Sequence, residues 1–360
     1  MANSSVRDDL LERGSDVESM LAAAAAARDG AGRLLAIVGP AGIGKTRLLG
    51  ELVGRSDELG LQVLRARAGE FEVAFPFGVA RQLVEPELAR AGASERAELL
   101  AGAAALAQEA LEGTPPREGA AADPSFAALH GLFWLTANLA ARGPLLIVVD
   151  DAHWCDPPSL RWLSYLSRRL EGMPVLLAMS WRPAEPGSDT TTLDDLASDP
   201  ATVVVRPQPL SVEAAGRIVD ERVGVEADPA FVLACHEVTG GNPYLLGEVA
   251  SMAVADGLGA TTADADRVRR LGPGSISRWV LRRLRRLGPA AVALAFAVAV
   301  LEGDADLRQL VALSGLEAAE IAAVADSLVR GAILRRERPL EFAHPILREA
   351  VYADIGPIER

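Results

Sequence analysis

Lysine is almost absent from this sequence. Of 36 basic side chains a single one, Lys45, is lysine, and the rest are arginine. Cysteine is nearly absent as well. Two cysteines, Cys155 and Cys235, cannot build a disulfide framework, which points to a reducing cytoplasmic setting. Aromatic residues make up only 4%, while Ala, Leu and Val dominate a chain that is 50% hydrophobic, so a helix-rich globular protein with a sizeable core is expected. Positive charge is not in excess. The net charge of −13 argues against a nucleic-acid footprint spread over the whole chain. Long apolar runs are missing. The most apolar segment, 290–301, falls about one third short of the roughly 20 residues that cross a bilayer and reads as a buried helix. The alanine run Ala22 to Ala27 is too short for a signal or a span, and residues 4–10 carry no apolar core behind a basic stretch. Neither secretion nor a membrane partner is expected.

The one surviving lysine sits in Gly39-Pro40-Ala41-Gly42-Ile43-Gly44-Lys45-Thr46, followed by Arg47. This is the G-x-x-x-x-G-K-T phosphate loop. Arginine is planar and forked, whereas lysine is a compact charge on a flexible stem, and a loop wrapped around a triphosphate has room only for the second. The context fits: the apolar run 33–38 predicts a buried strand feeding the loop, and 45–59 predicts a helix leaving it. Glycines let backbone N–H groups face phosphates, and the helix N-terminus adds a favourable dipole. Lys45 is then the ligand of the β- and γ-phosphates and Thr46 a ligand of Mg²⁺.

A second acidic element, Leu145 to Asp150-Asp151, is an apolar run ending in carboxylates. On the end of a parallel strand Asp150 is expected to hold Mg²⁺, and Asp151 either orients or deprotonates an attacking water or serves as a structural acid at a helix start. Arg182 closes the run Ala178 to Trp181, where it is placed either to report a γ-phosphate or as a surface arginine at a strand end. With Lys45 committed to the phosphate loop, no lysine remains for an Asn/Thr-Lys-x-Asp guanine loop, so ATP and ADP are the expected nucleotides by exclusion.

Along the chain the reading is an N-terminal helix within 1–32, a P-loop domain over 33–207, a helical domain over 208–266 and a further domain over 267–360. Strands at 33–38, 61–68, 145–149, 175–180 and 203–205 alternate with helices, which gives an α/β fold with a parallel sheet. Residues 113–124 read as a surface loop, 257–266 as a linker, and 333–342 as a small β-hairpin behind several helices, the pattern of a winged helix.

Taken together, these motifs resemble the STAND class of AAA-like ATPases, and more specifically the ATPase region of large LuxR-type, MalT-like transcriptional regulators. The residues that carry the resemblance are 39–49, Val149-Asp150-Asp151-Ala152-His153-Trp154 with Asp156 and Ser159-Leu160, Thr239-Gly240-Gly241-Asn242-Pro243-Tyr244-Leu245-Leu246, and Phe342-Ala343-His344-Pro345 with Arg348-Glu349-Ala350-Val351-Tyr352. The resemblance implies an ATPase sheet, a helical lid and a winged-helix domain. It implies Pro243 near adenine, with a helix cap by Asn242 as the bland alternative, and His344 on the β-phosphate of ADP. The family's apolar-Gly-Arg-Glu motif is altered here to Leu11-Glu12-Arg13-Gly14-Ser15-Asp16, which leaves Arg13 as the candidate contact on the adenine side. The family also continues into helical repeats and a helix-turn-helix. The chain is therefore expected to be a piece of a longer protein, a truncated gene product, or a stand-alone ATPase acting through a partner.

Two functions follow. One is a nucleotide switch with weak ATP hydrolysis, closed with ADP and opening to self-associate with ATP. Its DNA contact is indirect or lies in a region outside this sequence. The other is a nucleic-acid-binding module on a degenerate ATPase scaffold, using the eight arginines between Arg267 and Arg286. The favoured reading of those arginines is a solvated or acid-paired helix face.

Overall fold

The computed structural model of the chain describes residues 10–112, 124–183, 190–269, 281, 284–285, 287–301, 306–330, 333–335, 339–342 and 345–356. The chain divides into two compact units, one of residues 1–40 with 44–207 and one of 41–43 with 208–360.

The first unit is built on parallel strands β1 (Arg33–Val38), β2 (Gln62–Arg67), β3 (Leu145–Asp150), β4 (Val175–Trp181) and β5 (Val203–Val205). Among the described residues they form one five-stranded sheet in the order β2-β3-β4-β1-β5. All six residues of β3 and all seven of β4 are buried, as strands covered on both faces must be. Alternate side chains feed two cores. Leu34, Ile147, Leu177 and Met179 pack with helices Gly78–Arg90, Pro124–Ala140 and Pro157–Ser167 on one face. Leu35, Ile37, Leu146, Val148 and Leu176 pack with helices Gly14–Arg28 and Lys45–Gly54 on the other. The register sets Val38 beside Trp181 and Ile37 beside Ser180, so β4 lies between the strand of the glycine loop and the strand of the acids.

Several expectations change in detail. The first helix starts at Gly14, with Arg13 as its N-cap residue. The helix after the glycine loop is two, Lys45–Gly54 and Ser56–Leu59, parted at Arg55. The segment read as a linker holds the helix Thr262–Arg269. Its polar run is a cap rather than a spacer: Asp264 Oδ2 accepts from the N–H groups of Gly259 and Thr261 and from Thr261 Oγ1. The surface-loop reading of 113–124 falls, up to 123, outside the described residues.

The second unit is helical over most of its length, including Val212–Val223, Pro229–Thr239, Pro243–Ala255 and Pro289–Leu301. Near its end Leu334 and Phe342 form an isolated antiparallel bridge, and Arg335 N–H donates to Glu341 O at 2.8 Å. Among the described residues no helix is long and apolar enough to cross a membrane.

Candidate functional site

Gly44 caps the helix Lys45–Gly54 with φ +107, a left-handed backbone that suits glycine. The first backbone N–H groups of a helix have no partner within it, and an anion is a natural one. Lys45 is buried at 6% exposure, and its Nζ donates back to Gly39 O at 2.9 Å and Pro40 O at 3.0 Å. Gly39 N–H donates in turn to Trp181 O at 3.3 Å, which ties the loop's entry to the end of β4.

Thr46 Oγ1 donates to Asp150 Oδ2 at 2.9 Å, across 104 residues of sequence. The other oxygen of the Asp150 carboxylate accepts from Ser180 Oγ and from Asp151 N–H. Both oxygens of a fully buried acid are therefore fixed by three elements, which is how a buried charge is tolerated. Asp151 follows in the left-handed region at φ +53 and starts the 3-10 turn Ala152–Trp154. Its carboxylate lies 3.5 Å from the Arg67 guanidinium at the end of β2.

The turn carries His153 inward to 3% exposure, where Nδ1 accepts from the backbone N–H of Arg182 at 3.4 Å. Burial, then the positive charges of Arg182 and Lys45, hold the imidazole pKa down to about 3, and Asp150 opposes them weakly. Asp156 caps the helix Pro157–Ser167 and, through the backbone N–H groups of Phe77 and Val79, also the start of the helix Gly78–Arg90.

The structure therefore brings Lys45, Thr46, Asp150, Asp151 and Arg182 together, within one unit. It adds Arg67, Ser180 and His153, which sequence reasoning did not assign a role. The altered arginine motif leaves Arg13 buried, 3.8 Å from Asp16. Burial lowers the Arg13 pKa against the pull of that acid, and raises that of Asp16. Arg47 is exposed. In the second unit, which counts residues 41–43 among its own, Asn242 caps the helix Pro243–Ala255 through Oδ1, and its Nδ2 donates to Ala41 O at 2.9 Å. Pro243 is the first residue of that helix. A side chain on Gly42 (φ +77) would meet Asn242 Oδ1 at 2.7 Å, so only glycine fits this close approach. His344 lies outside the described residues.

Of the arginines between 267 and 286, Arg269 pairs with Glu237 at 2.8 Å and Asp266 at 3.3 Å, and Arg285 with Asp354 at 3.1 Å. Residues 270–280, 282, 283 and 286 lie outside the described ones.

A strand-loop-helix phosphate cradle and a carboxylate at the end of the strand next but one in the sheet define a P-loop ATPase domain, and such a fold implies nucleotide binding. The family model of the AAA ATPase domain matches residues 9–178, and over this part the chain is similar to an AAA-type ATPase module. An uncharacterised protein of Rhizobium meliloti strain 1021 is 27% identical over 228 residues, which cover 59% of this chain and 21% of that protein. The structure of a STAND protein with a tetratricopeptide repeat sensor from Pyrococcus horikoshii superposes with a TM-score of 0.50 at 16% identity, covering 91% of this chain and 41% of that one. A Walker-type ATPase of Pyrococcus abyssi, at TM-score 0.44 and 15% identity, covers 96% of this chain and 97% of its own. The chain thus spans about one fifth and about two fifths of the length of the first two, and the likenesses to the solved structures concern the fold.

Proposed function

We propose that this chain is the nucleotide-operated module of a STAND-type signalling ATPase, the ATPase region of a LuxR-type, MalT-like transcriptional regulator. The observation that carries the reading is the meeting of Thr46 Oγ1 and Asp150 Oδ2 at 2.9 Å beside a buried Lys45. A hydroxyl and a single carboxylate are the hard oxygen ligands that Mg²⁺ takes when substrate phosphates complete its shell. Thr46 and Asp150 would hold that ion, which supplies neutralisation of phosphate charge when bound. Lys45 and the backbone of 39–46 bind the phosphates, Arg47 beside them belongs to the nucleotide-binding loop, and Asp151 orients water for slow hydrolysis. Arg182 and His344 serve as phosphate sensors, and Arg13 and Pro243 as contacts toward adenine.

In this reading residues 208–266 are a helical lid and 267–360 a winged-helix domain. ADP holds the domains closed, and ATP opens them for self-association. DNA is reached indirectly or through a region outside this sequence. The likeness in fold to a STAND protein supports the assignment to that class.

The test is the nucleotide content of the purified chain, released by denaturation and separated by chromatography. ADP near one per chain is expected, and Lys45→Ala should remove it. Unchanged nucleotide affinity in Lys45→Ala would overturn the reading.

A further inference from the structure

His153 takes no part in the phosphate and Mg²⁺ contacts proposed for this site. Its Nδ1 accepts from Arg182 N–H, so in the neutral ring the proton sits on Nε2. Nε2 is buried and has no hydrogen-bond partner among the described residues. A buried N–H left unpaired costs free energy, and such a group in a site of this kind calls for an acceptor supplied from outside the chain. The surroundings narrow what that acceptor is. The ring stands in the fields of Lys45 from the helix after the glycine loop, Arg182 from the end of β4 and Asp150 from the end of β3. Near the ring two cations and a neutral donor outweigh the one carboxylate, which suits an anion with several oxygens. The 3-10 turn that presents the ring starts at Asp151, the residue after the metal-side acid, so the ring belongs to the acid end of the loop rather than to the adenine end.

We infer that His153 Nε2–H is a specificity-determining contact to a γ-phosphate oxygen of a bound nucleoside triphosphate, one that a diphosphate leaves unmade. The inference rests on the nucleotide-binding reading above. Because Nδ1 is anchored to the backbone N–H beside Arg182, the imidazole also links that contact to the strand end carrying the arginine.

The experiment compares Mg²⁺ with the imido analogue of ATP against Mg²⁺ with ADP on the full chain, by titration calorimetry. His153→Phe keeps the ring's bulk and loses the donor, and His153→Gln keeps a terminal N–H. His153→Phe should weaken the triphosphate analogue by about ten-fold or more, the loss expected when a hydrogen bond to a charged oxygen is removed, and leave ADP within about two-fold. His153→Gln should recover most of the difference. On the unaltered chain, ¹⁵N-histidine NMR should show the Nε2–H signal of His153 move with the imido analogue and stay in place with ADP. Equal weakening of both nucleotides, or an Nε2–H signal indifferent to the triphosphate, overturns the inference and leaves the nucleotide reading standing. Failure of the unaltered chain to bind either nucleotide overturns both.

Discussion

Arg67 Nε lies 3.5 Å from Asp151 Oδ2, joining the last residue of β2 to the residue that follows β3. The pair and the left-handed backbone of Asp151 together fix where this carboxylate points. Arg67→Ala removes one of the two restraints. A partly exposed pair contributes at most about 1 kcal/mol, so single-turnover ATP hydrolysis should slow by up to about five-fold with nucleotide affinity unchanged. A variant that hydrolyses as fast as the parent would show that Asp151 is held in place without Arg67.

Ser180 Oγ donates to Asp150 Oδ1 from the strand between the loop and the acid. Ser180→Ala leaves that oxygen with the Asp151 N–H as its donor and loosens the carboxylate proposed to hold Mg²⁺. One hydrogen bond of about 0.5–1.5 kcal/mol corresponds to a rise of about two- to twelve-fold in the Mg²⁺ concentration for half-maximal ATP binding. The Mg²⁺ titration of ATP binding reads it directly, and an unmoved midpoint counts against the role given to Asp150.

How much of this was legible beforehand depends on how local the signal is. The run 33–38 and the glycine loop after it are contiguous, and the strand Arg33–Val38 has the expected bounds. The five strands and their parallel pairing follow from apolar runs that can be read one at a time. Arg67, Ser180 and His153 are different, because their roles exist only once β4 is inserted between β1 and β3 and β2 is laid outside β3. Strand order is a long-range property that no window of sequence carries. The polar residues around Asp264 misled for the opposite reason: a capping cluster and a linker share a composition and differ only in where the hydrogen bonds go.

Asp156 should matter for stability rather than for chemistry. Its buried carboxylate accepts from the N–H groups of Phe77, Val79 and Ser159 and so starts two helices at once. Asp156→Ala strands those donors and should cost about 3 kcal/mol or more of unfolding free energy. Denaturant unfolding measures it. A loss below about 1 kcal/mol would mean the two helix starts find other caps.

Acid should weaken the fold through His153. Its folded pKa of about 3 lies below the ordinary value of 6.5, so between these values the unfolded chain binds a proton that the folded chain does not. Stability therefore rises with pH across this window and is lost as pH falls below 6.5, by at most about 1.4 kcal/mol per pH unit for this one group. Unfolding midpoints of the parent and His153→Gln, compared from pH 7.5 to 5, should diverge, with the parent losing more. Parallel curves would place the imidazole in water.

The amine of Lys45 is committed to the carbonyls of Gly39 and Pro40, and it is the one lysine amine in the sequence. Its acylation rate is therefore a single-site reading of the loop. A reagent that modifies amines meets one other target, the α-amino group at the chain start, whose lower pKa lets it be titrated away first. The rate that remains follows whether Nζ is bonded to its own loop, bonded to phosphate or released. This chain thus comes with a chemical gauge of its nucleotide state that requires no added probe residue.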